Sequence, residues 1–420
     1  MARVLDIYLH NFLAGKLLQD NLGDLSFQYT ESYINNENAW PISVSMPVCS
    51  GIYKGILVKA FFSGFLPEDV MRHRLAQYLG VSEKNPFSLL EIIGGECAGA
   101  IALYPEGQIP PNGQEADIEI LDNKDLSRIL QLLKKQPLLA GMKNIRLSLA
   151  GAQDKLPVGI KDGKIALIKG TTPTTHILKP MIEGVQDSVQ NELFCMRLAK
   201  LLDIDVPEVE MGWGQDLPYF LVKRYDRMLD ESGKIIRLHQ EDFCQALGIM
   251  PENKYEHEGG PNIAKCLEVL QKYSLQPAAD HLTFIKIVIF NYLIGNADAH
   301  GKNFSLLYRE KSSVPILAPT YDLLSTVAVP KLSSRMAMKI GGEYEPEKVF
   351  LRHWHRLVPD TTIARKNLEK QLQKVAKDIV EKAMLLKDML SKEGIVSDVF
   401  DTINAVIHSR AERIKSILIK

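Results

Sequence analysis

The chain has 420 residues, of which 46% are hydrophobic and 24% charged, with 50 Lys and Arg against 51 Asp and Glu. That balance is typical of a globular chain long enough for two or three domains; it excludes fibrous, disordered and membrane-embedded classes, and near-neutral charge supplies no global attraction for nucleic acid. Cys49, Cys97, Cys195, Cys244 and Cys266 are scattered, with no C-x-x-C pair, and are expected to be buried thiols in a reducing compartment. Arg3 and Asp6 stand where a signal peptide would need an apolar core, so the expected location is cytoplasmic, with no membrane association.

Residues 1–60 alternate as strands do, Leu5, Ile7 and Leu9 against Val4, Asp6 and Tyr8, with a turn expected at Ala14-Gly15. Phe27–Tyr29 and Ile42–Met46 continue that theme, and a helix is expected after Pro67, with acidic residues in its first turn. The run Ile92–Ile101 sets three glycines among small residues, as a tight turn or a close approach to phosphate requires. A polar segment over 105–115 precedes a helix around Asp125–Lys134, after which a domain boundary is expected near residue 139. From Ile145 to Arg224 the pattern predicts hairpin strands at Ile145–Leu149, Leu156–Ile160, Ile165–Ile168, His176–Lys179 and Tyr219–Val222, with one helix at Val189–Leu202. Beyond Arg224 the apolar spacing is helical at Glu241–Leu247, Pro261–Leu270 and His281–Ile294, and two amphipathic helices follow between about Thr362 and Ile419.

Asp298-Ala-His-Gly-Lys-Asn303, followed across a short apolar strand by Asp322, spaces two carboxylates and an amide as phosphoryl transfer to a hydroxyl requires. The first Asp can orient and deprotonate the hydroxyl, while Asn303 and Asp322 supply oxygen ligands for Mg2+ on the phosphates of ATP. The same residues could instead cap a helix and shape turns. Lys179 ends a strand whose alternation would bury it unless an anion awaited it, and Glu192 on the following helix is its natural partner. Ser148 to Lys155 contains Ala150, Gly151 and Ala152, small enough to expose backbone N–H groups to phosphate, or simply to turn a hairpin. Lys223-Arg-Tyr-Asp-Arg227 lies where one lobe would give way to the next, a hinge offering adenine its backbone groups, or else its arginines are solvated charges or structural ion pairs. A mixed metal site from His239, Asp298, His300 and Asp322 lacks any local ligand spacing. The fold class expected is α+β: an N-terminal α/β domain over 1–139, then a protein-kinase-like two-lobed domain over 140–420, strand-rich at about 140–230 and helical at about 231–420.

Taken together, Ser148–Lys155, Thr172–Lys179, Asn191-Glu192, Arg224–Arg227, Glu241–Gln245, Gly295–Ser305 and Tyr321-Asp-Leu, with Gly94–Ala100 upstream, resemble the HipA family of serine/threonine kinase toxins over nearly the whole chain. The resemblance implies Asp298 as catalytic aspartate, Asn303 and Asp322 as magnesium ligands and Lys179 as the ATP-phosphate lysine. It implies Ala150, Gly151, Ala152, Gln153, Asp154 and Lys155 as the phosphate loop, and Ser148 as an autophosphorylated serine whose modification displaces that loop. Glu192, Lys223, Arg224, Tyr225, His300, Lys302 and Tyr321 complete the ATP contacts so implied. Implied partners are a HipB-like helix-turn-helix antitoxin, operator DNA chiefly through that antitoxin, and a translation-related protein substrate such as glutamyl-tRNA synthetase. Only twelve residues separate Lys179 from Glu192, fewer than in the best-known toxin, so the substrate itself does not carry over. The rival readings are a small-molecule phosphotransferase and a non-catalytic member of an antitoxin repressor.

Overall fold

The computed structural model describes the chain except residues 1, 111–116, 171, 310, 311 and 420, so residues 111–115 of the polar segment lie outside the described part. Three antiparallel strands open it, β1 (Arg3–Leu9), β2 (Phe12–Gln19) and β3 (Leu25–Tyr29), followed by a short helix, α1 (Glu31–Ile34), and an edge strand, β4 (Ile52–Lys54). Helices α2 (Ile56–Ser63), α3 (Asp69–Leu79) and α4 (Pro86–Ile93) precede β5 (Ile101–Pro105), which closes a sheet of order β4-β3-β2-β1-β5. The β1–β2 turn falls at His10-Asn11, both with positive φ, four residues before the expected place. Gly15 sits inside β2 for another reason: a Cβ there would come within 2.5 Å of the Phe27 ring and the Gln28 carbonyl. Phe27, Phe61, Phe62 and Phe87 are fully buried in the core beneath this sheet, each contributing about 2 kcal/mol by leaving water.

The next sheet begins earlier than the sequence pattern suggests. Strand β6 (Asp117–Ile120) pairs with β8 (Lys164–Lys169), and α5 (Asn123–Leu132) lays Leu126, Ile129 and Leu130 into one core with Leu156 and Val158 of β7 (Leu156–Lys161). Residues 117–139, read as the end of the N-terminal domain, thus bury their apolar stripe with the strand-rich part that follows. Strand β9 (His176–Pro180) comes next, then α6 (Ser188–Leu201), β10 (Val209–Gly214) and β11 (Leu217–Lys223), giving the sheet order β10-β11-β9-β7-β8-β6. Residues 42–46 and 145–149, expected as strands, carry only isolated bridges, Ser43 to Met46 and Leu147 to Glu96.

A hairpin, β12 (Arg227–Leu229) and β13 (Ile235–Arg237), leads to β14 (Gln240–Asp242) and α7 (Phe243–Leu247), whose first turn is closed by a reciprocal Asp242–Gln245 capping box. Then come α8 (Ile263–Tyr273), α9 (Pro277–Ile294), β15 (Ser305–Leu307), β16 (Ile316–Leu317), α10 (Leu351–His355), α11 (Thr362–Lys392) and α12 (Val399–Ile419). Met1–Pro180, Gly212–Asn253 and Ser305–Ala318 form one compact unit; Met181–Met211, Lys254–Phe304 and Pro319–Lys420 form a second. Helix α6, read as the single helix of a strand-rich lobe, belongs to the second unit. It is buried without a break from Ser188 to Met196, too completely for a helix on a sheet surface, and Phe194 stacks on Phe400 of α12 at 5.0 Å. Among the described residues no helix is long and apolar enough to cross a membrane. Cys97, Cys195, Cys244 and Cys266 are buried as expected, whereas Cys49 is exposed beside Tyr53.

In the first unit Glu241 of β14 anchors residues 43–44: its carboxylate accepts from Ser43 Oγ at 2.5 Å, the Val44 N–H at 2.8 Å and the Tyr308 hydroxyl at 2.8 Å. Burial raises its pKa from 4.5 to about 7, more than those donors lower it. The fold therefore retains a proton that the unfolded chain releases, so this group favours folding below about pH 4.5 and loses that contribution as pH climbs to about 7. Glu241→Gln is expected to flatten this part of the pH dependence of the urea midpoint; an unchanged slope would place the titration elsewhere.

Candidate functional site

Helix α9 delivers the acidic loop. Proline starts it, and Gly295, with φ of 78°, stops it; a Cβ there would press on Val327, Val406 and Ser325 at 3.0–3.2 Å. The turn that follows is held by its own polar groups: the Asp298 N–H donates to Asn296 Oδ1 at 3.0 Å, and the Ala297 N–H donates to Thr326 Oγ1 at 2.8 Å. Asp298 itself stays half-buried, one oxygen accepting from the Tyr255 hydroxyl at 2.6 Å. A single turn of tight helix, Gly301–Asn303, turns the Asn303 amide back so that its Oδ1 accepts the His300 N–H at 3.0 Å.

The amide Nδ2 of Asn303 donates to Asp322 Oδ2 at 3.0 Å, joining residues separated by nineteen positions. Asp322 occupies a left-handed conformation with φ of 59°, strained for any side chain but tolerated best by Asn and Asp. Two contacts fix the chain around it. The Tyr321 hydroxyl donates to the Lys302 carbonyl at 2.8 Å, and Asn191 of α6 clamps Ser325 through both amide atoms, at 2.8 and 2.9 Å. The second unit thus brings Asp298, His300, Lys302, Asn303, Tyr321 and Asp322 into one loop cluster, with Glu192 adjacent in sequence to the Asn191 clamp. A carboxylate beside a side-chain amide is a donor pair that suits magnesium entering with phosphate ligands, because Mg2+ takes oxygen donors and relies on few protein ligands. Among the described residues no group of three or more His, Cys, Asp or Glu side chains is arranged to hold a metal by itself, and His239 belongs to the other unit, its Nε2 at 2.9 Å from the Ile42 carbonyl.

The remaining predicted residues lie in the first unit. Lys179 is the penultimate residue of β9, a central strand, only 7% exposed, with its ammonium 5.7 Å from the centre of the Phe220 ring. The loop from Ala150 to Lys155 is tied down at each side chain long enough to reach: Lys155 donates to the Ala150 carbonyl, Asp154 pairs with Arg74, and Gln153 donates to the Pro180 carbonyl at 3.1 Å. Glycine suits position 151 because its φ of 109° is a conformation that side chains rarely adopt. Ser148 is fully buried, its hydroxyl donating to the Phe65 carbonyl at 2.8 Å.

Lys223 is exposed, whereas Arg224 is sealed inside the protein. All five guanidinium N–H directions of Arg224 have acceptors, on Asp226, Glu96, Thr174 and Cys97, and its backbone N–H donates to Thr175. Of the sequence alternatives for this arginine, burial excludes the solvated charge and the side chain follows the structural ion pair, leaving only its carbonyl for any nucleotide contact. The Tyr225 hydroxyl is likewise engaged by Gln240. Two participants escaped sequence reasoning. Tyr255, which holds Asp298 and meets His300 edge-on at 5.2 Å, comes from a segment with no motif; Glu96 was visible only as one residue inside a glycine-rich run.

Comparison with known proteins places this geometry. Residues 5–104 match the HipA N-terminal domain and residues 147–384 the HipA-like C-terminal domain. The chain is 46% identical over 345 residues to the Sinorhizobium fredii protein Y4mE, covering 81% of each. It is 29% identical over 387 residues to the serine/threonine-protein kinase toxin HipA of Shewanella oneidensis, covering 89% of this chain and 87% of that one. The solved structure of Shewanella oneidensis HipA with HipB and its operator DNA superposes with a TM-score of 0.83 at 26% identity, over 99% of this chain and 98% of that one.

Asn303→Ala would leave the buried His300 N–H without its acceptor and Asp322 without the amide that faces it. A loss of about 1–2 kcal/mol in unfolding free energy is expected from urea titration; wild-type stability would show that the loop holds its shape without that amide.

Proposed function

We propose, for a chain that belongs to the HipA family, that it is a magnesium- and ATP-dependent serine/threonine-protein kinase acting as the toxin of a toxin–antitoxin pair. The observation that carries this reading is the 3.0 Å contact between Asn303 and Asp322 in the same loop cluster as Asp298, because it brings together a candidate base and two candidate magnesium ligands of the kind that phosphoryl transfer needs. Asp298, oriented by Tyr255, accepts the proton of the substrate hydroxyl as the hydroxyl attacks the γ-phosphorus. Asn303 and Asp322 would hold magnesium, which when bound neutralises charge on the phosphate oxygens. The resemblance supports Lys179, Glu192 and the segment from Ala150 to Lys155 as the residues for the phosphates, Lys223, Arg224 and Tyr225 as backbone groups for adenine, and His300, Lys302 and Tyr321 as the remaining contacts. The resemblance supports a HipB-like antitoxin as partner, as in the Shewanella oneidensis complex, with operator DNA engaged chiefly through it. It also supports a cytoplasmic, translation-related protein substrate, of which glutamyl-tRNA synthetase is one candidate.

Asp298→Gln is expected to lower phosphate transfer by about a thousandfold, the usual scale for a lost general base, and to relieve any growth arrest. Incubating the protein with labelled ATP and cell lysate reads this directly: labelled protein supports the kinase, labelled metabolite the small-molecule phosphotransferase, and an Asp298→Gln variant as active as wild type refutes the assignment. Because the Ser148 hydroxyl is sealed against Phe65, its phosphorylation requires the loop to leave this position. Ser148→Ala should remove the self-phosphate seen by mass spectrometry, and a phosphate mapped to another residue would reject that site.

A further inference from the structure

Glu96 belongs to the N-terminal domain, yet within the first unit it meets Ser148, Thr174 and Arg224, each in or close to a segment assigned above to the nucleotide. Its backbone N–H donates to the Arg146 carbonyl at 2.8 Å and its carbonyl accepts from the Ser148 N–H at 2.9 Å, a parallel bridge that opens directly into the loop from Ala150 to Lys155. Its carboxylate accepts from Thr174 Oγ1 at 2.8 Å and the Thr174 N–H at 3.2 Å, at the entrance to β9. The same carboxylate pairs with Arg224 at 3.1 Å and Arg227 at 2.8 Å, just beyond the end of β11.

The flanking loop is held just as firmly. Asp226 accepts the Gly99 N–H at 2.7 Å, while Arg224, Arg227 and Arg237 donate to the carbonyls of Cys97, Gly99 and Ile101. Gly99 cannot be larger, with φ of 74° and a Cβ that would fall 2.8 Å from the Gln240 nitrogen. So dense an array of buried charge is more than a loop of small residues needs in order to turn.

Strand pairing explains what it accomplishes. In the β9–β11 ladder Lys223 lies opposite His176, Val222 opposite Ile177, Leu221 opposite Leu178 and Phe220 opposite Lys179. Glu96 and the Arg224 N–H to Thr175 bond clamp one end of that ladder, and Lys179 stands one residue short of the other. A slip of one residue would turn the Lys179 side chain to the opposite face of the sheet, because side chains alternate with a period of two.

We propose that Glu96 is a positioning residue for ATP: it sets the register of β9 against β11 and the start of the phosphate loop, and so aims Lys179. This rests on the kinase reading above. The test is calorimetric titration of the full-length protein with magnesium-ATP, alongside steady-state kinetics and a thermal scan of each variant. Glu96→Gln is expected to weaken ATP binding about tenfold and raise the KM for ATP by a similar factor, with kcat at saturating ATP held within about twofold. Thr174→Val removes one contact of the same carboxylate while keeping every charge, and should weaken binding about threefold; it decides the matter alone if Glu96→Gln does not fold. Wild-type ATP affinity in the folded variants, or a fall in kcat with KM unchanged, overturns the positioning role. Failure of the wild-type protein itself to bind magnesium-ATP instead overturns the kinase reading on which it stands.

Discussion

Two carboxylates and three guanidinium groups are gathered in the first unit, Asp226, Arg224 and Arg227 buried and Glu96 and Arg237 partly buried beside them, and much of its architecture follows from keeping them paired. Burial alone would push both acids toward the neutral form; the surrounding arginines outweigh it and hold Asp226 and Glu96 below the ordinary carboxylate range. Burial has the opposite sense on the cations, lowering Arg227 to about 10, while the attraction of Asp226 and Glu96 leaves Arg224 raised. Such a network adds little net stability over a well-packed apolar core, but breaking it by removing one partner strands a charge in low dielectric at a cost of about 3–5 kcal/mol. Its physical consequence is specificity of arrangement. The loop at 96–101, the entrance to β9 and the end of β11 can meet in one way only, since any other leaves buried charge unpaired.

The second unit reaches its arrangement by different means. Its acidic loop is organised by neutral hydrogen bonds from Asn191, Asn296, Asn303, Tyr255, Tyr321 and Thr326, on a platform of buried helices. Amides suit that task because each offers donor and acceptor together, as Asn191 does to Ser325 and Asn303 does to His300 and Asp322.

Much of this was legible in the amino-acid order. The Asp298–Asn303–Asp322 spacing, the burial of α9 and the two long terminal helices could be read because each rests on local chemistry: helical periodicity, a glycine able to stop a helix, polar residues at short separation. The β1–β2 turn was placed wrongly because glycine was taken as its marker. His10 and Asn11 supply the positive φ there, and Gly15 serves a close approach by Phe27. Likewise α6 shows apolar residues at helical spacing, yet its polar positions, Gln190, Asn191 and Glu192, are buried too, which periodicity cannot reveal.

By itself the sequence determined the membership of the family, the α+β class and the chemical identity of the acidic triplet, since motif residues and periodicity are properties of near neighbours along the chain. Tertiary structure alone decided which core residues 117–139 join, that α6 lies among the C-terminal helices, and that Glu96 meets Thr174, Arg224 and Arg227. Those outcomes depend on which buried polar groups find partners across scores of intervening residues, and desolvation is set by the packed three-dimensional surroundings, with no trace in local spacing.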